Sequence, residues 1–258
     1  MLLAIDIGNT NIKYGIYGKD GALAASFRVS SRLSRTADEY GSVLINLLAS
    51  KGLKTTDITG VIMSSVIPSL NYTICHMCEY FFGIIPTMVG PGIKTGLNIR
   101  AENSREVGAD IIVNSVSAFN KYGGPVIVID FGTATTFDVI SEKCELLGVV
   151  IAPGIKTSLE ALTSNTAQLP TVELESPKSV IGRNTKASMQ SGIIFGFAGL
   201  VDNIIKRIKK ELKLEEIKVV ATGGLGEIIA KEVKSLVVVD RTLTLDGLKI
   251  IHELNENI

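Results

Sequence analysis

Two stretches of this chain read almost alike: Leu3-Ala4-Ile5-Asp6-Ile7-Gly8-Asn9-Thr10 near the start and Ile127-Val128-Ile129-Asp130-Phe131-Gly132-Thr133-Ala134 past the middle. Each is an apolar run ending in an aspartate, with glycine two positions on and hydroxyl or amide side chains after it. That pattern is a buried strand opening into a polar turn. The offset from Asp6 to Asp130, 124 residues, is close to half of the 258. The duplication predicts two similar lobes, residues 1–117 and 118–258, each presenting a carboxylate at one cleft. Two carboxylates and two glycine turns suit a metal-bound nucleotide.

The charge balance excludes other classes. Twenty-six Lys and Arg stand against twenty-six Asp and Glu, so neither nucleic acid nor an anionic membrane is favoured as a partner. Asp6 falls inside any supposed apolar signal core, and no apolar run approaches the roughly 20 residues that a bilayer requires. A cytoplasmic protein is expected. Three cysteines make no disulfide framework, and Cys75-His76-Met77-Cys78 lacks a second pair at zinc-ribbon spacing. Reduced thiols on a helix are the expectation there.

Strands are expected near 2–6, 12–17 and 23–29, joined by glycine turns, followed by a helix near 36–51, a strand over 61–65 and a helix over 70–82. The second lobe repeats the order, with strands near 125–130, 135–140 and 145–152, helices near 155–163 and 185–213, a strand at 217–222 and a helix from about 244. Segments 90–104 and 164–183 read as loops. Asn184-Thr185 starts the long helix. Gly192, Gly196 and Gly199 within it each cost about 1 kcal/mol relative to Ala, which close helix packing or the approach of another backbone would explain.

In Asp6-Ile7-Gly8-Asn9-Thr10-Asn11-Ile12-Lys13, Gly8 lets phosphate oxygens approach main-chain amides. Thr10 and Asn11 add neutral donors, and Lys13 adds a point charge. Asp6 is the candidate magnesium ligand. An ordinary hairpin turn would use the same residues, but Gly132 and Thr133 repeat the arrangement after Asp130. No P-loop string or G-x-G-x-x-G after a strand occurs, so a nucleotide would sit between the hairpins. Asp110, in Gly108-Ala109-Asp110, opens a helix; it either complements the helix dipole or takes a proton from an attacking hydroxyl. Thr222-Gly223-Gly224 ends a strand and offers bare backbone to an adenine or ribose.

With these pieces in place the whole chain resembles the type III pantothenate kinases of the acetate kinase, sugar kinase, Hsp70 and actin superfamily. The carriers are Asp6-x-Gly-Asn-Thr, Pro91-Gly-x-x-Thr-Gly, Gly108-Ala-Asp, Asp130-Phe-Gly-Thr-Ala-Thr, Ala152-Pro-Gly, Thr166-Ala-x-Leu-Pro, Ile181-Gly-Arg-Asn-Thr, Ser191-Gly and Thr222-Gly-Gly. The resemblance implies an α/β, duplicated ribonuclease H-like (actin-like ATPase) fold, two lobes each with a mixed five-stranded sheet. It implies a homodimer and transfer of the γ-phosphoryl of ATP to pantothenate, the first step towards coenzyme A. It further implies that Asp6 through Lys13, with Gly8, Asn9, Thr10 and Asn11, and Thr133 beside Gly132, contact the ATP phosphates. Asp110 would be the proton acceptor and Asp130 the ligand of potassium or ammonium. Gly108, Ala109, Asp110, Ile111 and Thr185 would contact pantothenate, and Thr166 would lie in a loop reaching the neighbouring subunit's substrate.

Four positions depart from the family pattern. Ile111 stands where Arg is usual, Ala101 where an aromatic residue is usual, Ser104 for Pro, and Val149 for the second Gly of a pair. Ile111 and Ala101 would line the acceptor pocket, where an Arg would add hydrogen bonds of roughly 1.5–3 kcal/mol to an anionic substrate. Three readings follow: a pantothenate kinase, a same-fold kinase for another small hydroxyl compound, or a catalytically weak paralogue acting as a regulatory partner.

Overall fold

The computed structural model describes residues 1–100, 102–235 and 238–256. The chain forms β1 (Leu2–Ile7), β2 (Asn11–Tyr17), β3 (Leu23–Ser30), α1 (Ala37–Ala49), β4 (Gly60–Ser65), α2 (Pro68–Phe82), β5 (Thr87–Met88) and β6 (Asn98–Ile99). Then come α3 (Ala109–Tyr122), β7 (Val126–Phe131), β8 (Ala134–Ile140), β9 (Glu145–Pro153), α4 (Ile155–Ser164) and α5 (Thr185–Leu212). The last elements are β10 (Lys218–Gly223), α6 (Gly226–Ala230), β11 (Val238–Val239) and α7 (Leu243–Asn255).

Two sheets share one plan. The first runs β3-β2-β1-β4-β5, and the second runs β9-β8-β7-β10-β11 with β6 added outside β9. In each, the carboxylate-bearing strand pairs antiparallel with the next strand and parallel with a later one (β1 with β2 and β4, β7 with β8 and β10). The fold is thus the duplicated α/β ribonuclease H-like type that the resemblance implied, the second sheet having six strands instead of five.

The division into units corrects the expected lobes. Unit 1 comprises Met1–Leu97, Glu102–Ser117 and Thr242–Ile258; unit 2 comprises Asn98–Ala101 and Ala118–Arg241. The closing helix therefore belongs with the first unit. Its contacts explain why: Tyr17 Oη donates to Asp246 Oδ1 at 2.6 Å and Lys249 Nζ to the Gly21 carbonyl at 2.9 Å. Asn255 and Lys94 also exchange amide and carbonyl hydrogen bonds. The segment 90–104, expected as loop, contributes β6, whose Asn98 pairs with Glu145 on β9.

Strand alternation sorts the first unit into two faces. Leu3, Ile5 and Ile7 of β1 pack with Ile12, Tyr14 and Ile16 of β2, Tyr40, Leu44 and Leu48 of α1, and Leu70, Ile74 and Met77 of α2. Gly15 and Tyr17 of β2 meet α7: its Leu245 side chain would meet a Cβ on Gly15 at 3.1 Å, and its Asp246 accepts from Tyr17. Thr36 caps α1 in a capping box with Glu39, and Gly83, at φ 67°, ends α2 in the left-handed conformation. Cys75 and Cys78 are free thiols on α2, as expected, and burial pushes the Cys78 thiol up to about 12.

In unit 2 the core joins Ile127, Ile129 and Phe131 of β7 and Phe137 of β8 to Ile194, Phe197, Val201 and Ile205 of α5. Asn184 starts α5 by accepting the Ala187 N–H at 2.8 Å. Against expectation, α5 is long and apolar enough to cross a membrane by length and composition, and half of that window is buried inside the fold. The expected close packing at Gly192, Gly196 and Gly199 is not found either: a Cβ at any of the three would meet nothing within 4 Å.

Gly247 of α7 carries a tight contact within unit 1, because a Cβ there would sit 2.1 Å from the Val113 carbonyl oxygen of α3. Backbone cannot step aside as a flexible side chain can. Gly247→Ala should lower stability by about 1–3 kcal/mol, read as a shifted urea midpoint; an unchanged midpoint would show that α7 does not dock this closely.

Candidate nucleotide and acceptor site

Asp6 is buried one residue before the end of β1 and faces Lys13 across the β1–β2 hairpin. Lys13 Nζ lies 3.2 Å from Asp6 Oδ2, while the buried Ser64 hydroxyl of β4 donates to Asp6 Oδ1 at 3.0 Å. A buried carboxylate is costly unless paired and hydrogen-bonded, and here each oxygen has a partner. Between the strands, Gly8 N–H donates to the Asn11 carbonyl at 3.0 Å. Ser31, just past the end of β3, fixes the turn, its hydroxyl donating to the Gly8 carbonyl at 2.6 Å and its N–H to the Thr10 carbonyl at 3.0 Å. Asn9 and Thr10 are thereby held exposed at the tip.

Asp110 lies in the first turn of α3, also in unit 1. Its Oδ1 accepts the Ile111 N–H at 2.9 Å, and the carboxylate folds over Gly108, where a Cβ would come within 2.4 Å of that oxygen. The segment Gly108, Ala109, Asp110 and Ile111 is half-buried. Its carboxylate complements the helix terminus, the structural role weighed from sequence. Ala101, the other departure assigned to the acceptor pocket, lies outside the described residues.

In unit 2, Asp130 of β7 has Thr136 opposite it on β8. The repeat slips by one residue beyond its glycine, because Gly132 N–H closes on the Ala134 carbonyl where Gly8 reaches Asn11. Its cross-strand partner on β8 is therefore a threonine, where Asp6 has Lys13. The Gly132-Thr133 turn is clamped by the start of α4: Gly154 N–H and the Thr157 hydroxyl both donate to the Thr133 carbonyl, at 3.1 and 2.8 Å. Gly132 and Thr133 themselves are exposed.

The structure brings a further sequence candidate to Asp130. Thr222 pairs with Asp130 and Gly223 with Phe131 on the parallel β10–β7 ladder. Gly223 has φ 94°, and a Cβ there would lie 2.7 Å from Asp130 Oδ1 and 2.6 Å from the Phe131 carbonyl oxygen. Carboxylate and carbonyl oxygens thus converge on bare backbone, with Gly224 next in the turn. Thr185 is the first residue of α5, and Thr166 follows α4, its hydroxyl donating to the Leu162 carbonyl at 2.8 Å. The loop before α5 is tied to it by Gln190, which donates to the Glu173 carbonyl at 2.7 Å, and Ser191, which donates to the Val180 carbonyl at 2.5 Å.

Sequence reasoning passed over Ser64 and Ser31, and gave no site role to Gly154, part of the Ala152-Pro-Gly motif, or to Thr157. The signal for Ser64 was present: Ser64-Ser65 ends β4 as Thr222-Gly223 ends β10, so the repeat extends to the parallel neighbour of each carboxylate strand.

Residues 2–207 match the family model of type III pantothenate kinase. The chain belongs to that family. Solved structures agree on the fold. A conserved putative Baf family transcriptional activator from Campylobacter jejuni is similar at TM-score 0.62 and 20% identity, with 99% of this chain and 100% of that chain covered. A putative 2-dehydro-3-deoxygalactonokinase from Sinorhizobium meliloti has TM-score 0.58 at 13% identity, covering 100% and 98%. The activator of the 2-hydroxyisocaproyl-CoA dehydratase from Clostridium difficile, with bound ADPNP, has TM-score 0.56 at 15% identity, covering 99% and 96%. This member of the type III pantothenate kinase family is thus a nucleotide-binding kinase by family, on an actin-like ATPase and sugar kinase fold.

The Gly223 position gives a test within unit 2 of this kinase-family chain. Gly223→Ala forces a side chain into a left-handed backbone and against Asp130, so it should cost about 1–3 kcal/mol, measured by urea unfolding. Retained stability would mean that the β10 turn relaxes freely and that the oxygen cluster is not tightly built.

Proposed function

We propose that this chain phosphorylates pantothenate with ATP to give 4'-phosphopantothenate, the first step of coenzyme A biosynthesis, in the cytoplasm and as a homodimer. The observation that supports it best is the buried Asp6 carboxylate, set with Lys13 at the end of a glycine hairpin, in a chain of the type III pantothenate kinase family. Phosphoryl transfer asks mainly for positioning and charge neutralisation. In this reading Gly8, Asn9, Thr10, Asn11 and Lys13 hold phosphate oxygens, joined by Gly132 and Thr133, while Gly223 and Gly224 receive the nucleoside. Asp110 takes the proton of the pantothenate hydroxyl as its oxygen bonds to the γ-phosphorus and ADP departs. The Ile111 N–H keeps that carboxylate oriented. Gly108, Ala109, Ile111, Thr185 and Thr166 bound the acceptor.

The residues fit the cations that such chemistry uses. Magnesium is commonly held by one or two carboxylates with substrate phosphates and water. Among the described residues no group of three or more His, Cys, Asp and Glu could hold a metal unaided, which suits Asp6 as the single protein carboxylate. Bound there, magnesium supplies neutralisation of phosphate charge. The converging Asp130 and Phe131 oxygens at Gly223 suit a potassium or ammonium ion.

Support for the homodimer comes from unit 2. Leu147, Val150 and Ile151 of β9 and Leu162 of α4 are exposed, and the α4 face carries an open groove of about 450 Å³ bounded by Ala161, Leu162 and Thr166 among others. The bare face of Gly192, Gly196 and Gly199 is open to a second backbone. Exposed apolar side chains beside an open groove suit an interface between subunits.

ATP consumption with pantothenate, magnesium and potassium, beside pantetheine, simple polyols and a no-acceptor control, tests the reading. Turnover should depend on pantothenate, and Asp110→Asn should lower it by about 10²-fold or more with ATP binding nearly intact. Preference for another acceptor would move the assignment to a different small hydroxyl compound. ATP binding without turnover of any acceptor would favour a regulatory paralogue.

A further inference from the structure

We propose that Lys13 is a resident counter-ion that must leave Asp6 before a divalent cation can bind there, so that metal binding is tied to the arrival of nucleotide. The inference rests on the reading of the hairpin as the ATP-phosphate site. It starts from a division of labour between the two oxygens of one buried carboxylate. Oδ1 is committed to the Ser64 hydroxyl at 3.0 Å, from the neighbouring parallel strand. Oδ2 is 3.2 Å from the Lys13 ammonium, from the neighbouring antiparallel strand. Asp6 is thus held from both sides, and the position beside Oδ2 already contains a positive charge.

A divalent ion arriving alone would have to share that position with the ammonium. Two cations in neighbouring positions repel, and several-fold more strongly at a partly buried site than in water. Lys13 side chain is mostly buried, so it cannot retreat into water without losing its pairing. Phosphate oxygens change the balance by giving the ammonium a second partner. Lys13 then moves from Oδ2 to phosphate, and Ser64 keeps the carboxylate from turning as the partner at Oδ2 changes. In the second unit the corresponding register position holds Thr136, opposite Asp130.

The exchange makes a prediction that neither a plain phosphate-binding lysine nor a plain structural ion pair makes. The probe is Mn²⁺, titrated by electron paramagnetic resonance with and without a non-hydrolysable ATP analogue. Lys13→Met should bind Mn²⁺ alone about 10-fold more tightly than the unmodified protein, an amount within the usual range of coupling between sites. Lys13→Arg, which keeps the charge, should bind Mn²⁺ alone as weakly as the unmodified protein. The analogue should tighten Mn²⁺ by about 10-fold or more in the unmodified protein and by much less in Lys13→Met. The double variant Asp6→Asn/Lys13→Met should lose the gain, which places it at this carboxylate. Circular dichroism of each variant establishes that it is folded.

Unchanged affinity for Mn²⁺ alone in Lys13→Met would overturn the proposal, as would an equal gain in Lys13→Arg. None of these readouts involves the acceptor. If no acceptor is phosphorylated but the gain is seen, the exchange stands and the pantothenate reading falls. If the analogue does not bind at all, the nucleotide reading falls, and the comparison of Mn²⁺ alone across the variants still decides the exchange.

Discussion

The structure depends on a carboxylate placed at the carboxyl end of a strand that is paired on both sides. β1 and β7 each have an antiparallel neighbour leading out of a glycine turn and a parallel neighbour arriving later in the chain. Burying an aspartate in such a position costs several kcal/mol unless charge and hydrogen bonds offset it. The Asp6 pairings with Lys13 and Ser64 are that offset. Because both partners come from adjacent strands, the register of the sheet itself sets the geometry of the carboxylate.

Duplication then allowed the two copies to diverge by small steps. One residue fewer in the second hairpin puts Thr136 opposite Asp130 instead of a lysine. A positive φ at Gly223 brings bare backbone against that carboxylate, where β4 brings the Ser64 hydroxyl against Asp6. The first carboxylate is thus furnished with a lysine, while the second shares the Gly223 turn with the Phe131 carbonyl oxygen. Those surroundings suit a divalent ion carried with phosphates in one case and a monovalent ion in the other.

Much of this was legible in the sequence because it is local. The strand, turn, strand pattern around Asp6 and Asp130, the start of α5 at Asn184 and the helix opening at Gly108 all follow from periodicity and turn chemistry. What was not legible depends on contacts between distant segments. α7 joins unit 1 through Tyr17, Gly21, Lys94 and Val113, which no pattern near residue 245 announces. The one-residue slip appears only when strand register is known, since alignment by offset sets Lys13 against Phe137. Ser64 carried a signal only through the repeat, as the counterpart of Thr222, because a serine near the end of a strand is ordinary until its partner is known. The glycines of α5 showed the reverse failure: their spacing suggested a neighbour, and the described residues supply none within 4 Å.

The most direct test of the account is calorimetric binding of a non-hydrolysable ATP analogue to Asp6→Asn and Asp130→Asn, each with and without magnesium and with potassium or sodium. If the two carboxylates serve different cations, Asp6→Asn should lose the magnesium dependence of nucleotide binding and keep the potassium effect. Asp130→Asn should do the opposite. Magnesium dependence retained in Asp6→Asn, or the same loss in both variants, would contradict the division of roles.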